Sequence, residues 1–266
     1  MRGAAAGGST HAPHARAAGR SLRTYYAPGR AALLDGFLAR FVAPGRPAFD
    51  VGAHVGDRAS SFLRLGASPV VAVEPQPRLA RLLRRMGRRH SALRVVEAVV
   101  GARAGGTATL RLNGANPTVA TASAAFVEAA RGAPGWEGQV WDDAVAVPAT
   151  TLDALAAEHG EPSFVKLDVE GGEAEALAGL SRPVAALSFE VTTIARGVAL
   201  AALDRLAALS PGYRFNAALG ESHALALPGP VGAGDMRAWL AALPAAANSG
   251  DVYAVLGPAA GAALSP

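Results

Sequence analysis

The stretch Phe49-Asp50-Val51-Gly52-Ala53-His54-Val55-Gly56-Asp57 decides the fold of this chain. Residues 47–51 predict a short buried strand with an acid near its end, residues 52–56 form a turn of small residues, and residues 58–65 have helical spacing. A strand, a glycine turn and a helix in this order indicate the first unit of a doubly wound α/β sheet. The ligand crevice of such a sheet lies at the carboxyl end of its strands. Glycine in the turn allows the backbone to approach a ligand closely.

The spacing of the turn does not fit a dinucleotide. A dinucleotide site requires Gly-x-Gly-x-x-Gly, with which backbone amides and a helix N-terminus hold a pyrophosphate. Here the pattern is Asp50-x-Gly52-x-x-x-Gly56, with a carboxylate in place of the first glycine. A carboxylate repels phosphate and attracts cations, and S-adenosyl-L-methionine carries two positive groups, a sulfonium and an ammonium.

A second acid supports the same cofactor. The apolar run 70–73 predicts the second strand, and Glu74 follows it directly. An acid at this place suits the two hydroxyls of an unphosphorylated ribose. The alternative is a Rossmann-like fold with two ordinary strand-end acids and no cofactor, but the spacings of Asp50 and Glu74 favour S-adenosylmethionine over both this alternative and NAD.

The composition excludes several classes of site. The chain has 266 residues, enough for one large domain or a domain with extensions, and 51% of them are hydrophobic. It contains no cysteine, which excludes disulfides, zinc–thiolate sites and thiol nucleophiles. Since no apolar run reaches the roughly 18 residues of a membrane-spanning helix, we expect no membrane association and a cytoplasmic location. Residues 1–30 carry scattered arginines without a compact apolar run, so we expect a disordered extension rather than a secretory signal.

The basic charge does not indicate nucleic acid. The formal net charge is +4, and Lys166 is the only lysine among 25 basic residues, so the other 24 are arginines. Many of these arginines crowd a predicted helix at 78–89, whose leucines face inward. A solvated helix face explains this pattern better than a nucleic-acid footprint. We therefore expect no nucleic-acid partner.

Elements on both sides of the first unit can complete a cofactor pocket. An amphipathic helix predicted at 31–41 either closes one side of the pocket or covers the sheet. A third strand is predicted at 93–100, and Ala98 and Val99 near its end are candidates to lie against an adenine ring. Beyond residue 190 we predict the remaining elements of the sheet, which are helices at 199–209 and 236–243 and strands at 213–216, 224–227 and 252–256.

The alternation of strands and helices breaks down at residues 101–149. Within this insertion, residues 107–112 alternate like an antiparallel strand that can pair with residues 144–147. Trp136 and Trp141 lie between them. A long insertion in an α/β sheet is often a lid or a substrate loop, and the tryptophans favour a lid over a flexible excursion.

The second informative stretch is 162–173, Pro-Ser-Phe-Val-Lys-Leu-Asp-Val-Glu-Gly-Gly-Glu. It predicts a strand that breaks at two glycines into a helix. Because side chains alternate along a strand, Lys166 and Asp168 share one face, and Glu170 joins them if the extended path continues. Such buried charges are costly unless they are paired or used, so Lys166 either forms an internal ion pair or takes part in catalysis. The next strand, 184–189, is followed by Glu190, which should lie near Asp168.

Together these motifs resemble the FkbM-type family of class I S-adenosylmethionine-dependent methyltransferases. The resemblance covers residues 49–190 and rests on Phe49-Asp50-Val51-Gly52-Ala53-x-x-Gly56-Asp57, Val73-Glu74-Pro75, Thr151-Leu152-Asp153 and Val165-Lys166-Leu167-Asp168-Val169-Glu170-Gly171-x-Glu173. It implies a Rossmann-like, doubly wound sheet of seven mostly parallel strands, with one antiparallel strand near the edge. The domain is expected at 31–257, with a tail at 258–266. His54 stands where asparagine is frequent in the family, and Gly172 where alanine is usual.

The resemblance also implies an activity, because members typically methylate hydroxyls of secondary metabolites and sugars. We expect a small-molecule acceptor with a hydroxyl, and S-adenosylmethionine as the cofactor. The residues expected to bind the cofactor are Asp50, Gly52, Ala53, Gly56, Glu74, Ala98 and Asp168. A non-catalytic adenosyl-binding or protein-interaction module with the same fold is the alternative.

The catalytic groups are predicted at the ends of two strands. We assign Asp168 as the base that removes the hydroxyl proton, with Lys166 and Glu190 as orienting or charge-balancing groups. In the alternative, Asp168 and Glu190 hold a magnesium ion. The metal-free mechanism is favoured, because Lys166 already supplies a positive charge beside Asp168. His54 is expected to pack the loop rather than to act as a base.

Overall fold

The computed structural model describes residues 11–266. Its strands are β1 Ala48–Val51, β2 Val70–Val73, β3 Leu93–Val96, β4 Val99–Val100, β5 Thr107–Leu112, β6 Asp143–Thr150, β7 Phe164–Leu167, β8 Ala186–Thr192, β9 Tyr213–Leu219 and β10 Ser249–Leu256. Its helices are α1 His11–Tyr25, α2 Arg30–Leu38, α3 Asp57–Arg64, α4 Pro77–Gly87, α5 Ala124–Ala130, α6 Leu152–His159, α7 Glu173–Ala178, α8 Arg196–Leu209, α9 Ala233–Ala242 and α10 Ala260–Ala263.

Seven strands form one sheet in the order β3-β2-β1-β7-β8-β10-β9. Neighbours pair in parallel except at β10, which runs antiparallel to both β8 and β9. This is the predicted doubly wound sheet, with its one antiparallel strand next to the edge. Every residue of β1, β2 and β7 is buried, as expected for parallel strands covered by helices on both faces. The chain order reverses between β1 and β7, so the ligand crevice is expected there.

The register of the central strands aligns their carboxyl ends. Val51 pairs with Val73 on one side and with Leu167 on the other, and Leu167 pairs with Phe189. The residues that follow these four, which are Gly52, Glu74, Asp168 and Glu190, therefore stand in one row across the sheet. Three acids and one glycine thus meet at the switch point, although they come from distant parts of the sequence.

Two apolar layers hold the helices on the sheet. One face packs against α6, α7, α8 and α9, through buried residues such as Leu155, Leu177, Leu203 and Leu240. The other face packs against α2, α3, α4 and α10, and its core contains Phe37, Phe62, Leu83 and Ala263. The layers immobilise the strands, and so they fix the row of residues at the strand ends.

The insertion is a small folded unit. Strands β4, β6 and β5 form a separate three-stranded sheet, in which β5 and β6 pair antiparallel along residues 107–112 and 143–148, as predicted. Val119, Phe126, Ala130 and Trp136 form a core of their own. The indole Nε1 of Trp141 donates to the carbonyl of Val119 at 2.8 Å. The insertion is therefore folded around a small core of its own. Its role as a lid stays a prediction.

Two predicted strands differ from the structure. The predicted strand 93–100 is divided, because the chain leaves the large sheet after Val96 and residues 99–100 pair with β6 instead. The prediction of a strand at 224–227 is wrong. These residues form a loop, in which the amide of Leu227 donates to the Asn216 side chain at 3.0 Å rather than to a neighbouring strand.

Both ends of the described chain are packed onto the domain. The prediction of disorder for residues 1–30 is wrong for residues 11–25, which form α1, and residues 1–10 lie outside the described residues. From α1, the guanidinium of Arg20 donates to the carbonyl of Ala115 in the insertion at 2.7 Å. In the predicted tail, Leu264 is fully buried, and its carbonyl accepts from Asn216 at 2.8 Å. Among the described helices, none combines the length and apolarity needed to cross a bilayer.

Candidate functional site

Gly52 lies where β1 and β7 come closest. Its φ of +83° belongs to the left-handed region, and a Cβ built there would stand 1.7 Å from the backbone oxygen of Asp168. Its amide donates to the carbonyl of Val73 at 2.9 Å, as does that of Ala53 at 3.0 Å. Only glycine allows this approach, so the turn keeps the ends of β1, β2 and β7 together and leaves open backbone toward the crevice.

Asp50 connects the turn to the helix behind it. Its side chain is buried, and Oδ2 accepts from the backbone amide of Ala59, in the first turn of α3, at 2.9 Å. Burial raises the pKa of Asp50 to about 7, although the positive charge of Lys166 lowers it. Asp50 also lines the crevice, where a cationic cofactor would stabilise its ionised form.

Glu74 holds the loops on both sides of it. One carboxylate oxygen accepts from the amide of His54 at 2.8 Å, and the other accepts from the amide of Gln76 at 2.8 Å. Burial raises the pKa of Glu74 to about 8, against the lowering effect of these two donors. Each oxygen retains a second acceptor site, so the carboxylate can take two further hydrogen bonds from vicinal hydroxyls.

These residues open into a cavity of about 240 Å³. Its walls come from the ends of β1, β2, β7 and β8, from the insertion, and from Tyr25 at the end of α1. Of the residues expected to bind the cofactor, Asp50, Gly52, Ala53, Glu74 and Asp168 line the cavity. Within the described chain, the lining includes Val99 and Val100 rather than Ala98, which is buried behind it.

Gly56 is not part of the cavity wall that the described residues form. It precedes α3 with a φ of +80°, and a Cβ there would stand 2.5 Å from Cδ2 of Leu83 on α4. Glycine at this position fits the left-handed backbone and the packing of α3 on α4, and its contact with a cofactor stays a prediction.

Lys166 forms the ion pair that the sequence left open. Its Nζ lies 2.7 Å from Oδ2 of Asp168 and 3.7 Å from Oδ1 of Asp251 on β10. Although burial lowers the pKa of Lys166, the two carboxylates raise it above its ordinary value. Lys166 therefore stays protonated and acts as a counter-ion rather than as a base.

Asp168 is the accessible member of this pair. Its side chain is 35% exposed, against 4% for that of Lys166. Burial raises the pKa of Asp168. The ammonium of Lys166 and a hydrogen bond from Glu190 lower it by more, so the net shift is downward. Asp168 is thus an ionised carboxylate in the crevice, and its low pKa makes it a weak base.

Glu190 and Glu170 complete an acidic cluster. One carboxylate oxygen from each of Asp168, Glu170 and Glu190 lies within 4.8 Å of the others. Burial, followed by the charge of Asp168, raises the pKa of both glutamates well above their ordinary value. Glu190 lies within β8 rather than beyond its end, because this strand continues to Thr192.

The sequence placed Glu170 beside Asp168 only if the strand continued as far as residue 170. The structure brings Glu170 to the cluster by a different backbone path. Strand β7 ends at Leu167, and Glu170 takes a left-handed φ of +54°. The hydroxyl of Thr121, from the insertion, donates to the Glu170 carbonyl at 2.6 Å. Glu173 accepts from the amides of Val169 and Gly171 at 2.9 and 3.1 Å, which fixes the same loop.

Comparison with known proteins supports this geometry. A family model described as methyltransferase FkbM domain matches residues 50–243, nearly three quarters of the chain. This chain belongs to the FkbM methyltransferase family. It therefore belongs to a family of S-adenosylmethionine-dependent methyltransferases with the class I fold. A search of curated proteins found no match.

The chain is similar to several solved methyltransferase structures at low identity. Methyltransferase FkbM from Methylobacillus flagellatus is 14% identical with a TM-score of 0.47, and the match covers 89% of this chain and 58% of that one. This chain thus spans little more than half the length of that relative. A TehB-like S-adenosylmethionine-dependent methyltransferase from Corynebacterium glutamicum is 12% identical with a TM-score of 0.47, covering 91% and 98%. An O-methyltransferase from Bacillus cereus in complex with SAH is 13% identical with a TM-score of 0.42, covering 91% and 90%.

In this FkbM family member, His54 stands where asparagine is frequent, and the backbone conformation explains why histidine fits there. His54 has a φ of +49°, a left-handed conformation that asparagine and histidine adopt more readily than most residues. Its ring packs edge-on against Tyr25 with the ring centroids 5.8 Å apart, and burial lowers its pKa to about 4. Neither ring nitrogen has a hydrogen-bond partner in residues 11–266. This packing agrees with the expected loop role.

Sequence reasoning missed several residues of the cavity wall. Tyr25 and Thr118 approach it from α1 and from the insertion, and Arg58 and Glu221 form an ion pair at its edge at 3.0 Å. These residues are distant in sequence and follow no recognisable motif. Arg58 begins the predicted helix at 58–65 and Thr118 lies in the insertion at 101–149, but no spacing in the sequence places either of them at the cavity.

Proposed function

We propose that this protein transfers a methyl group from S-adenosylmethionine to a hydroxyl of a small-molecule acceptor, such as a secondary metabolite or a sugar. The observation that carries the proposal is that a single cavity combines Glu74 at the end of β2 with the carboxyl groups of Asp168 and Glu190 on β7 and β8. The first acid suits a ribose, and the others suit a hydroxyl that must lose its proton.

The described residues fit the cofactor. Glu74 has free acceptor sites for the ribose hydroxyls, and Gly52 leaves room that any Cβ would fill. Val99 can flank the adenine ring. Asp50 and Asp168 would balance the positive charges of a ligand that supplies an electrophilic methyl group on a sulfonium.

Asp168 would receive the proton of the acceptor hydroxyl as its oxygen gains the methyl group. Lys166 keeps this carboxylate ionised and oriented. Glu190 would hold Asp168 from the other side through a hydrogen bond between their side chains. The acidic lining argues for a neutral or cationic acceptor and against nucleic acid, because phosphates would be repelled by these carboxylates.

The test begins with the purified chain and calorimetry. S-adenosylhomocysteine is expected to bind, and NAD is not. S-adenosylmethionine with an isotope-labelled methyl group, incubated with a small-molecule extract of the producing cells, should then yield a product whose label mass spectrometry assigns to an oxygen. NAD binding without any response to S-adenosylhomocysteine would refute the cofactor. Cofactor binding without a labelled product would favour the non-catalytic module, and label on nitrogen or carbon would refute O-methylation.

The affinity for S-adenosylhomocysteine should rise with pH. The pKa of Glu74 is raised to about 8, so below this pH the carboxyl holds a proton and accepts hydrogen bonds weakly. Ribose hydroxyls donate to the ionised form, so binding lowers the pKa and releases a proton. Calorimetry should show affinity increasing from roughly pH 6 to about 8 and then levelling. Glu74→Gln should bind more weakly and should lose the upper part of this slope, while Asp50, whose pKa is raised to about 7, retains the lower part.

Glu97→Gln is the matched control for this measurement, because Glu97 follows β3 and pairs with Arg84 outside the cavity. It should keep the wild-type dependence on pH. An unchanged slope and an unchanged affinity in Glu74→Gln would assign the proton to another group and remove the ribose role of Glu74.

A further inference from the structure

The acidic cluster contains more carboxyl groups than a proton acceptor needs. Asp168, Glu170 and Glu190 all line the cavity, and each offers an oxygen within 4.8 Å of the other two. Lys166 contacts only Asp168 among them, through Oδ2. No ion pair joins Glu170 or Glu190 to a basic side chain within residues 11–266, so ionisation of all three carboxyl groups would be opposed by like-charge repulsion.

Glu170 provides an independent observation. Its side chain is 9% exposed, and its Oε2 has no hydrogen-bond partner in the described part of the chain. A buried carboxyl oxygen without a partner is costly, and most such oxygens in proteins are satisfied. Glu170 lines the cavity, and its backbone is held in place, since Thr121 and Glu173 bond to the loop from two sides.

We propose that Asp168, Glu170 and Glu190 bind one divalent cation that prefers oxygen ligands, Mg²⁺ or Mn²⁺. Carboxylates are the ligands that these ions select, and Mg²⁺ commonly keeps several waters beside its protein ligands. The cation would give Glu170 the missing partner and neutralise the cluster. Glu190 lies on β8, Asp168 follows the end of the adjacent parallel strand β7 directly, and Glu170 lies in the loop that continues from Asp168.

The chemical role of this ion rests on the proposed function, whereas its binding does not. An aliphatic hydroxyl is a poor nucleophile until a base or a metal ion activates it. A cation beside it would bind the acceptor oxygen and lower the pKa of its hydroxyl. The sequence favoured a metal-free site because Lys166 could serve Asp168 as the positive partner. The structure leaves Glu170 and Glu190 outside that pair, and this observation reverses the preference.

The test uses Mn²⁺ alone with the full chain freed of metal, and measures bound ion by electron paramagnetic resonance. Wild-type protein should bind one Mn²⁺ with a dissociation constant of about 10⁻³ M or tighter, and Mg²⁺ should displace it. Glu170→Gln and Glu190→Gln should each weaken binding by about tenfold or more. Glu175→Gln is the matched control. Glu175 is exposed on α7, so this substitution removes the same charge from a nearby position outside the cluster.

Calorimetry with S-adenosylhomocysteine on the same samples shows whether each variant keeps its folded site. Absence of Mn²⁺ binding by the wild type would overturn the proposal, and so would equal binding by Glu170→Gln, Glu190→Gln and Glu175→Gln. Methyl transfer that continues unchanged in EDTA would remove the ion's role in catalysis while leaving the proposed function intact. Metal binding without methylation of any hydroxyl would instead refute the proposed function and leave the site.

Discussion

Gly52→Ala is expected to destabilise the protein by roughly 2–6 kcal/mol and to abolish measurable binding of S-adenosylhomocysteine. The new Cβ would stand 1.7 Å from the backbone oxygen of Asp168 and 2.8 Å from its carbonyl carbon. Neither atom belongs to a flexible side chain, so β1 and β7 must separate at the place where both contribute to the cavity. Chemical unfolding and calorimetry measure the two effects.

Gly29→Ala separates this clash from the cost of the backbone conformation. Gly29 has nearly the same φ, +82°, but no described atom lies within 4 Å of a Cβ built there. It should lose only the roughly 1–3 kcal/mol of a left-handed non-glycine residue and keep cofactor binding. Equal losses in the two variants would show that the close approach of β1 and β7 is not required.

Asp168→Asn should reduce methyl transfer by about 10²–10⁴-fold, whether Asp168 acts as the base or as a cation ligand. Asparagine keeps the shape of the side chain but cannot accept the proton, and it is a neutral, weaker ligand. The rate is measured as S-adenosylhomocysteine release with the acceptor that the labelling experiment identifies. Added Mg²⁺ distinguishes the two roles, because partial rescue is expected only for a ligand.

The matched control is Asp251→Asn. Asp251 also faces Lys166, at 3.7 Å, but it stands on β10 outside the residues that line the cavity. This substitution should lower the stability of the protein, because it removes one of the negative charges that face the buried Lys166. It should reduce turnover far less than Asp168→Asn does. If both variants lose activity to the same degree, the effect arises from Lys166 and its ion pairs, and Asp168 has no direct part in the reaction.

Local patterns determined most of the fold. Short, mostly apolar runs bounded by glycine or acids predicted β1, β2 and β7, because a parallel strand that is buried on both faces is mainly apolar. The same reasoning found Asp50, Glu74 and Asp168 as strand-end acids, since the switch point of such a sheet gathers them at one edge. It failed at α1 and at residues 224–227, where contacts with distant parts of the chain decide the conformation.

By itself, the sequence determined the family, the seven-stranded sheet and the acids at the strand ends, because these depend on residue type and local spacing. Only the tertiary structure decided what each acid contacts. Lys166 pairs with Asp168 and Asp251, Gly52 lies against the backbone of β7, and Glu170 turns into the cavity through a left-handed residue held by the insertion. These contacts join residues far apart in the chain, and their distances follow from how the helical layers pack on the sheet, which spacing along the sequence does not encode.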